Sequence, residues 1–225
     1  MKFRVFWNKY GLVVEWVLAT LIGQMLSGLF VTTQVHVPIP VDFDLEILGI
    51  SRTIFEAVLI SEVIHGISLG MFQWLVLRSR VSQSARWIVV TPLGMIFGGY
   101  MSPLFLKVEH QLLLRGLGPI DVGLSMVLYG VTIGLSQWVV LRKSLSIAWT
   151  WVITNGLGWS LAITLGTDFI RRSLYGYPGF ISYTLVNPYY EIVIHSSIGM
   201  FVGIITGLFL WWLLNQKNDT NQTAM

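Results

Sequence analysis

The sequence predicts an all-α membrane protein of six transmembrane helices, built from three repeated helical pairs, with both termini cytoplasmic. Three observations lead there. Of 225 residues, 54% are hydrophobic and only 11% charged, less than half of the roughly one-quarter charged share of a soluble domain. Six apolar runs are long enough to cross a hydrocarbon core about 30 Å thick, which takes about 20 helical residues. A patterned stretch also recurs at fixed spacing along the chain. With a mean hydropathy of +0.70, a water-soluble globular domain and intrinsic disorder are excluded.

The first run, about 12–36, follows Lys2, Arg4 and Lys9, as a signal peptide would. It is too long for one and no A-x-A-like cleavage site follows, so it reads as a retained helix. The others are about 53–77, 86–106, 120–141, 149–169 and 188–214. Together, 1–214 form one transmembrane domain, and 215–225 form a polar cytoplasmic tail. Orientation follows from the basic residues. With the N-terminus inside, Lys2, Arg4, Lys9, Arg78, Arg80, Arg86, Arg142, Lys143 and Lys217 face the cytoplasm, while Arg52, Lys107, Arg115, Arg171 and Arg172 lie outside. Nine of the 10 Trp residues fall near inner helix ends, as an interfacial aromatic belt does.

Other classes are closed by composition. The absence of cysteine excludes disulfides, zinc–thiolate sites, iron–sulfur clusters and cysteine nucleophiles, so any metal would rest on His, Asp or Glu. The net charge of +3 comes from 14 Lys and Arg scattered at helix ends, without a basic patch, which excludes nucleic acid as a partner. No motif names a cofactor.

The repeat is most distinct between helices 2 and 4. Gly66-x3-Gly70-x2-Gln73-Trp74-x-Val76-Leu77-Arg78 recurs 64 residues later as Gly130-x3-Gly134-x2-Gln137-Trp138-x-Val140-Leu141-Arg142. The same offset carries Ser82 onto Ser146, Trp87 onto Trp151 and Gly94 onto Gly158. Helix 6 matches in weaker form through Gly203-x3-Gly207-x3-Trp211, with Leu210 in the place of the Gln, and helix 1 through Trp16-x6-Gly23. The pairs are thus 1–2, 3–4 and 5–6, parallel and not inverted. Small-x3-small faces let helix backbones approach closely, and Gln73 and Gln137 are placed to bond across helices.

These residues carry a resemblance. The Gly-x2-Gln-Trp-x-x-Leu-Arg hairpin followed by a Trp-rich helix resembles a group of uncharacterised multi-pass bacterial membrane proteins common in cyanobacteria. It implies a bacterial inner membrane or an internal photosynthetic membrane, and no activity. In size alone the chain is similar to the substrate-binding subunits of energy-coupling-factor vitamin transporters.

Ionisable residues inside a membrane are costly and mark candidate sites. Glu62 and His65 share a face of helix 2 at mid-membrane depth, and Glu56 lies further out. In helix 6, Glu191 and His195 are one turn apart near the outer end. The repeat register sets Glu56 one residue from Asp121, and Asp121 with Ile194 beside His195, so acids and imidazoles recur near the outer face. The long outer loops favour a pocket open to the outside. Glu56, Asp121 and Glu191 equally suit helix starts, where a carboxylate complements the dipole, and Glu62 with His65 equally suits a buried structural pair. A metal would need further carboxylates. A haem shared by His65 and His195 is disfavoured by aligned depths about seven residues, or 10 Å, apart.

The ligand-binding set is therefore Glu62, His65, Glu56, Asp121, Glu191 and His195, with no catalytic or metal residues assigned. The leading reading is an integral membrane protein that binds or transports a small molecule through an outward-facing pocket between helices. The alternative is a non-catalytic subunit or assembly factor packed among other membrane proteins. A third reading is an intramembrane enzyme using Glu62 and His65. The lipid bilayer is a partner under all three.

Overall fold

The computed structural model describes the backbone of residues 2–34, 44–45, 50–112, 119–145, 147–175 and 188–222. It describes side chains over 10–30, 59–102, 123–145, 147–166 and 192–216. Each apolar run is a helix: α1 (Lys2–Gln34), α2 (Arg52–Leu77), α3 (Trp87–Leu112), α4 (Pro119–Leu141), α5 (Thr150–Tyr175) and α6 (Pro188–Gln222). Proline opens α4 and α6, where its missing N–H costs nothing. Several ends differ from the apolar boundaries. α1 starts at Lys2, α3 and α5 run outward to Leu112 and Tyr175, and α6 continues through the polar stretch as far as Gln222. Hydropathy marks where the apolar core stops, whereas a helix continues until Gly, Pro or a competing turn ends it. Neither Gly nor Pro follows Leu214. In the α1–α2 link, Asp44 pairs with Ser51 and Leu45 with Ile50 in a two-residue antiparallel ladder.

Among the described residues, four helices are long and apolar enough to cross a membrane: Tyr10–Phe30, Leu59–Leu77, Gly123–Leu141 and Ile192–Gln216. All six turn large apolar side chains outward. On α3 these are Val89, Leu93, Phe97 and Met101, and on α5 Ile153, Leu157, Leu161 and Leu165. Inside lie Thr20, Gln24, Ser27, His65, Gln73, Thr91, Gln137, Asn155 and Thr206, all buried. Apolar outside and polar inside inverts the pattern of a water-soluble bundle.

Each helix packs on its neighbours in sequence and α6 closes onto α1, so the six form a ring. Trp16, Trp87 and Trp151, from the three odd helices, fill its middle. Their rings meet edge to face in every pairing, with centroids 5.8–6.1 Å apart. Each indole N–H needs an acceptor there, and an even helix supplies it. Trp87 donates to Gln73 Oε1 and Trp151 to Gln137 Oε1, both at 2.9 Å, while Trp16 donates to Thr206 Oγ1 at 2.8 Å. The two amides also reach backward: Gln73 Nε2 donates to Thr20 at 3.2 Å and Gln137 Nε2 to Thr91 at 3.1 Å. Each glutamine thus ties three consecutive helices together. Thr206 is too short to do the same. It donates to its own helix at Val202 O, and Asn155 likewise turns back to Trp151 O.

The turns after α2 and α4 close alike. Arg80 and Val81 N–H donate to Leu77 O, and Ser144 and Leu145 N–H donate to Leu141 O, at 2.8–2.9 Å. Arg80 also pairs with Glu15 of α1 at 2.7 Å.

Glycine contacts correct the register read for α6. Gly70 receives Ile88, Gly134 receives Val152 and Gly203 receives Val17, each the residue after a central Trp. Gly203 therefore stands with Gly70 and Gly134, and Gly199 with Gly66 and Gly130, one turn from the match through Gly203 and Gly207. Thr206, not Leu210, occupies the glutamine position. The sequence match was drawn to Trp211, but the indole hydrogen bond fixes the register, and Gly207 stands where Trp74 and Trp138 do.

The α5–α6 joint is the loosest of the three where an odd-helix glycine meets the next helix. A Cβ on Gly23 would lie 2.8 Å from Leu69 Cα and one on Gly94 2.7 Å from Ile133 Cα, whereas one on Gly158 meets only side-chain carbons at 3.5 Å. We expect Gly94→Ala to destabilise the fold by about 1–3 kcal/mol through overpacking, and Gly158→Ala to be neutral or slightly stabilising through helix propensity. Thermal unfolding in mild detergent measures the difference. Gln137→Leu, which orphans the Trp151 N–H, should cost about 1–3 kcal/mol; a cost no greater than that of an exposed control such as Leu157→Ala would remove the clamp from the account.

Candidate functional site

Two to three turns along the helices from the tryptophans, away from the turns after α2 and α4, the three even-to-odd helix pairs stop resembling one another. The residue after each odd-helix glycine points inward and is fully buried, but it is Gln24 on α1, Met95 on α3 and Trp159 on α5. On the even helices the matching inward position is His65, Tyr129 and Ile198, all buried. One turn further out, Glu62, Met126 and His195 correspond. This layer holds the buried ionisable side chains of the described interior.

Its parts are in contact. The Tyr129 hydroxyl donates to Glu62 Oε2 at 2.7 Å. That bond runs from α4 to α2 across the inner face of α3, where the chain has Gly98 and Gly99. A Cβ on Gly98 would lie 2.6 Å from the Tyr129 ring, and one on Gly99 2.9 Å from Glu62 Cγ. The consecutive glycines clear the passage. Tyr129 packs edge to face on Trp159 at 5.1 Å, Trp159 on His65 at 6.2 Å, and His65 on His195 at 5.5 Å. His195 Nδ1 lies 3.3 Å from Gln24 Oε1 in a hydrogen bond whose direction depends on the tautomer. A chain of polar and aromatic groups thus passes from Glu62 to Gln24 and touches α1, α2, α4, α5 and α6.

Three polar atoms in this interior are buried without a hydrogen-bond partner: His65 Nε2, Gln24 Nε2 and Ser27 Oγ. Gln24 and Ser27 share a face of α1, three residues apart. Burying a polar group without a partner costs roughly 1–3 kcal/mol, and native interiors satisfy nearly all such groups with protein, water or ligand. These three leave hydrogen-bonding capacity that the side chains around them do not fill.

Of the six residues expected at the site, the structure gathers Glu62, His65 and His195. Glu56, Asp121 and Glu191 lie on α2, α4 and α6, but their side chains fall outside the described residues. The depth relation read from the sequence changes with the register of α6. His195 comes level with Glu62, not with Asp121, and lies three residues, about 4.5 Å of rise, from the level of His65. This is why the imidazoles meet, where the sequence set them about 10 Å apart; that depth argument against a group shared by the two histidines falls. Among the described residues, no three His, Asp or Glu come together as a metal site. Tyr129, Gln24, Trp159 and Ser27 were missed. Tyr129 nevertheless lies 64 residues after His65, and Gln24 and Trp159 follow Gly23 and Gly158, a spacing signal that a scan for ionisable residues passes over.

No protein-family model matches this chain, and neither a curated protein nor a solved structure is similar to it.

The Tyr129–Glu62 bond predicts a coupling. Tyr129→Phe and Glu62→Gln should each destabilise, and the double variant should lose less than their sum by about 0.5–3 kcal/mol. Additive losses in a thermal or denaturant titration would mean that the hydrogen bond contributes nothing to the fold.

Proposed function

We propose that the chain is a six-span membrane protein of three repeated helical pairs, with cytoplasmic termini, that binds or transports a small molecule in the polar layer between its helices. The carrying observation is the trio of unpartnered buried atoms on His65, Gln24 and Ser27 beside the Glu62, His65 and His195 set. Ligand sites in helical bundles are built in this way, from convergent side chains on facing helices. The apolar outward stripes on α3 and α5 support crossings by those two helices as well as by the four apolar ones. The recurring Trp–Gln contacts and the matching inner turns support the repeat. Two of the three outer links, 35–51 and 176–187, are longer than the turns after α2 and α4, which supports a pocket that opens outward between them; the third, 113–118, is shorter than either turn. The bacterial inner membrane or an internal photosynthetic membrane is the proposed location.

Native mass spectrometry of the chain in the mildest detergent that keeps it folded tests the reading. A bound small molecule, lost in Glu62→Gln, is the expected result. A protein partner at fixed stoichiometry would move the function to a larger assembly, and a bare chain would count against a tightly held ligand. Orientation has its own test, because the chain lacks cysteine. Ser82→Cys, on the exposed turn after α2, should react with a membrane-impermeant maleimide only after the cells are opened. Labelling in intact cells would reverse the topology.

A further inference from the structure

We infer that the polar layer receives a small organic cation, an amine or amidine whose charged end lies at Glu62 and whose other end hydrogen-bonds to Gln24, Ser27 and His65. This rests on the binding reading above and names the ligand class.

Charge carries the first part of the argument. Among the residues whose side chains are described there are two carboxylates, Glu15 and Glu62. Glu15 is at the inner surface and is paired with Arg80 at 2.7 Å. The basic residues whose side chains are described, Arg78, Arg80, Arg86, Arg142 and Lys143, all lie in the inner turns. Glu62 sits several turns away from them, with the Tyr129 hydroxyl as its hydrogen-bond donor. A carboxyl group withdrawn from water needs a positive partner or several donors to stay charged, and otherwise takes up a proton; the described interior offers one neutral donor.

His65, one turn along the same helix, is a poor source of that charge. Its Nε2 meets no acceptor, Glu62 included, so an imidazolium there would add a buried, unmatched N–H to a charged ring. A cation that enters from outside and leaves again meets the requirement without a permanent buried charge pair.

The walls agree with this assignment. Tyr129 and Trp159 stand edge to face at 5.1 Å beside Glu62, and aromatic faces attract ammonium and amidinium groups. Beyond them the free atoms change character. Gln24 Nε2, Ser27 Oγ and His65 Nε2 are neutral donors or acceptors, suited to a hydroxyl, amide or carbonyl. From Glu62 to Gln24 the polar chain passes two imidazoles, so the charged and neutral ends of the ligand are set apart.

A matched set of probes tests the class on the full chain in mild detergent. 4-Amino-1-butanol carries a cation and a hydroxyl, 4-hydroxybutanoate an anion and a hydroxyl, and 1,4-butanediol two hydroxyls on the same carbon skeleton. The amine should raise Tm at the lowest concentration. Glu62→Gln should shift its half-effect concentration upward by about ten-fold or more, the worth of one charge-assisted contact. Ser27→Ala should weaken the amine and the diol equally, leaving charge preference intact; it serves also if Glu62→Gln does not fold. Equal stabilisation by the diol, or stronger stabilisation by the acid, would overturn the cation assignment while keeping the binding reading. With no response to any probe the cation assignment fails, and the mass of the wild-type chain separates the two claims: another bound molecule preserves the site, whereas a bare chain removes both.

Discussion

An indole N–H in a dry interior must find an acceptor, and three of them meet at the middle of this ring. Trp16, Trp87 and Trp151 fill the space where six helices converge, and each directs its one polar atom at the helix that precedes it round the circle. Everything nearby follows from satisfying those donors. A glutamine amide accepts from the indole and has a donor left over, which reaches the threonine of the helix behind. The helices must then come close enough for such short reaches, hence the glycines at the crossings. With polar partners turned inward, the apolar side chains are left for the outside.

The same frame separates structure from chemistry by depth. At the tryptophan level the three sectors of the ring are nearly alike, because close packing has few solutions. Farther out, one odd helix carries an amide, the next a thioether and the third an indole, while the even helices carry imidazole, phenol and isoleucine. The three sectors thus differ in chemistry on similar helix crossings. The difference concentrates ionisable and unpartnered groups on the α1, α2 and α6 side, where a bound molecule would complete them.

Much of the helical architecture was legible because hydropathy and the 64-residue offset are strong, local signals. Glu62 and His65 were legible because charge within an apolar run stands out. The register of α6 was not, since Trp211 offered a tempting anchor and Thr206 does not look like a glutamine; the donor on Trp16, 190 residues away in the chain, and the glycine contacts show that it accepts an indole N–H as the glutamines do. Gln24, Ser27 and Tyr129 were passed over for a related reason. Uncharged polar residues are common in helices, and what sets these apart is which neighbours they face, a property of the ring and not of any one segment. The Gly98–Gly99 passage is likewise visible only once α2 and α4 are known to flank α3.

The ring also joins the two ends of the chain. The tie between Trp16 and Thr206 links the first helix to the last, and Gly199 and Gly203 receive α1 closely along that seam. On its other side α1 meets α2, through Thr20 and Gly23. α6 therefore stands between α5, which it meets loosely at Gly158, and α1, which it meets closely. Without α6 the Trp16 indole would lose its acceptor, and the remaining five helices would be an open arc with two unpartnered edges.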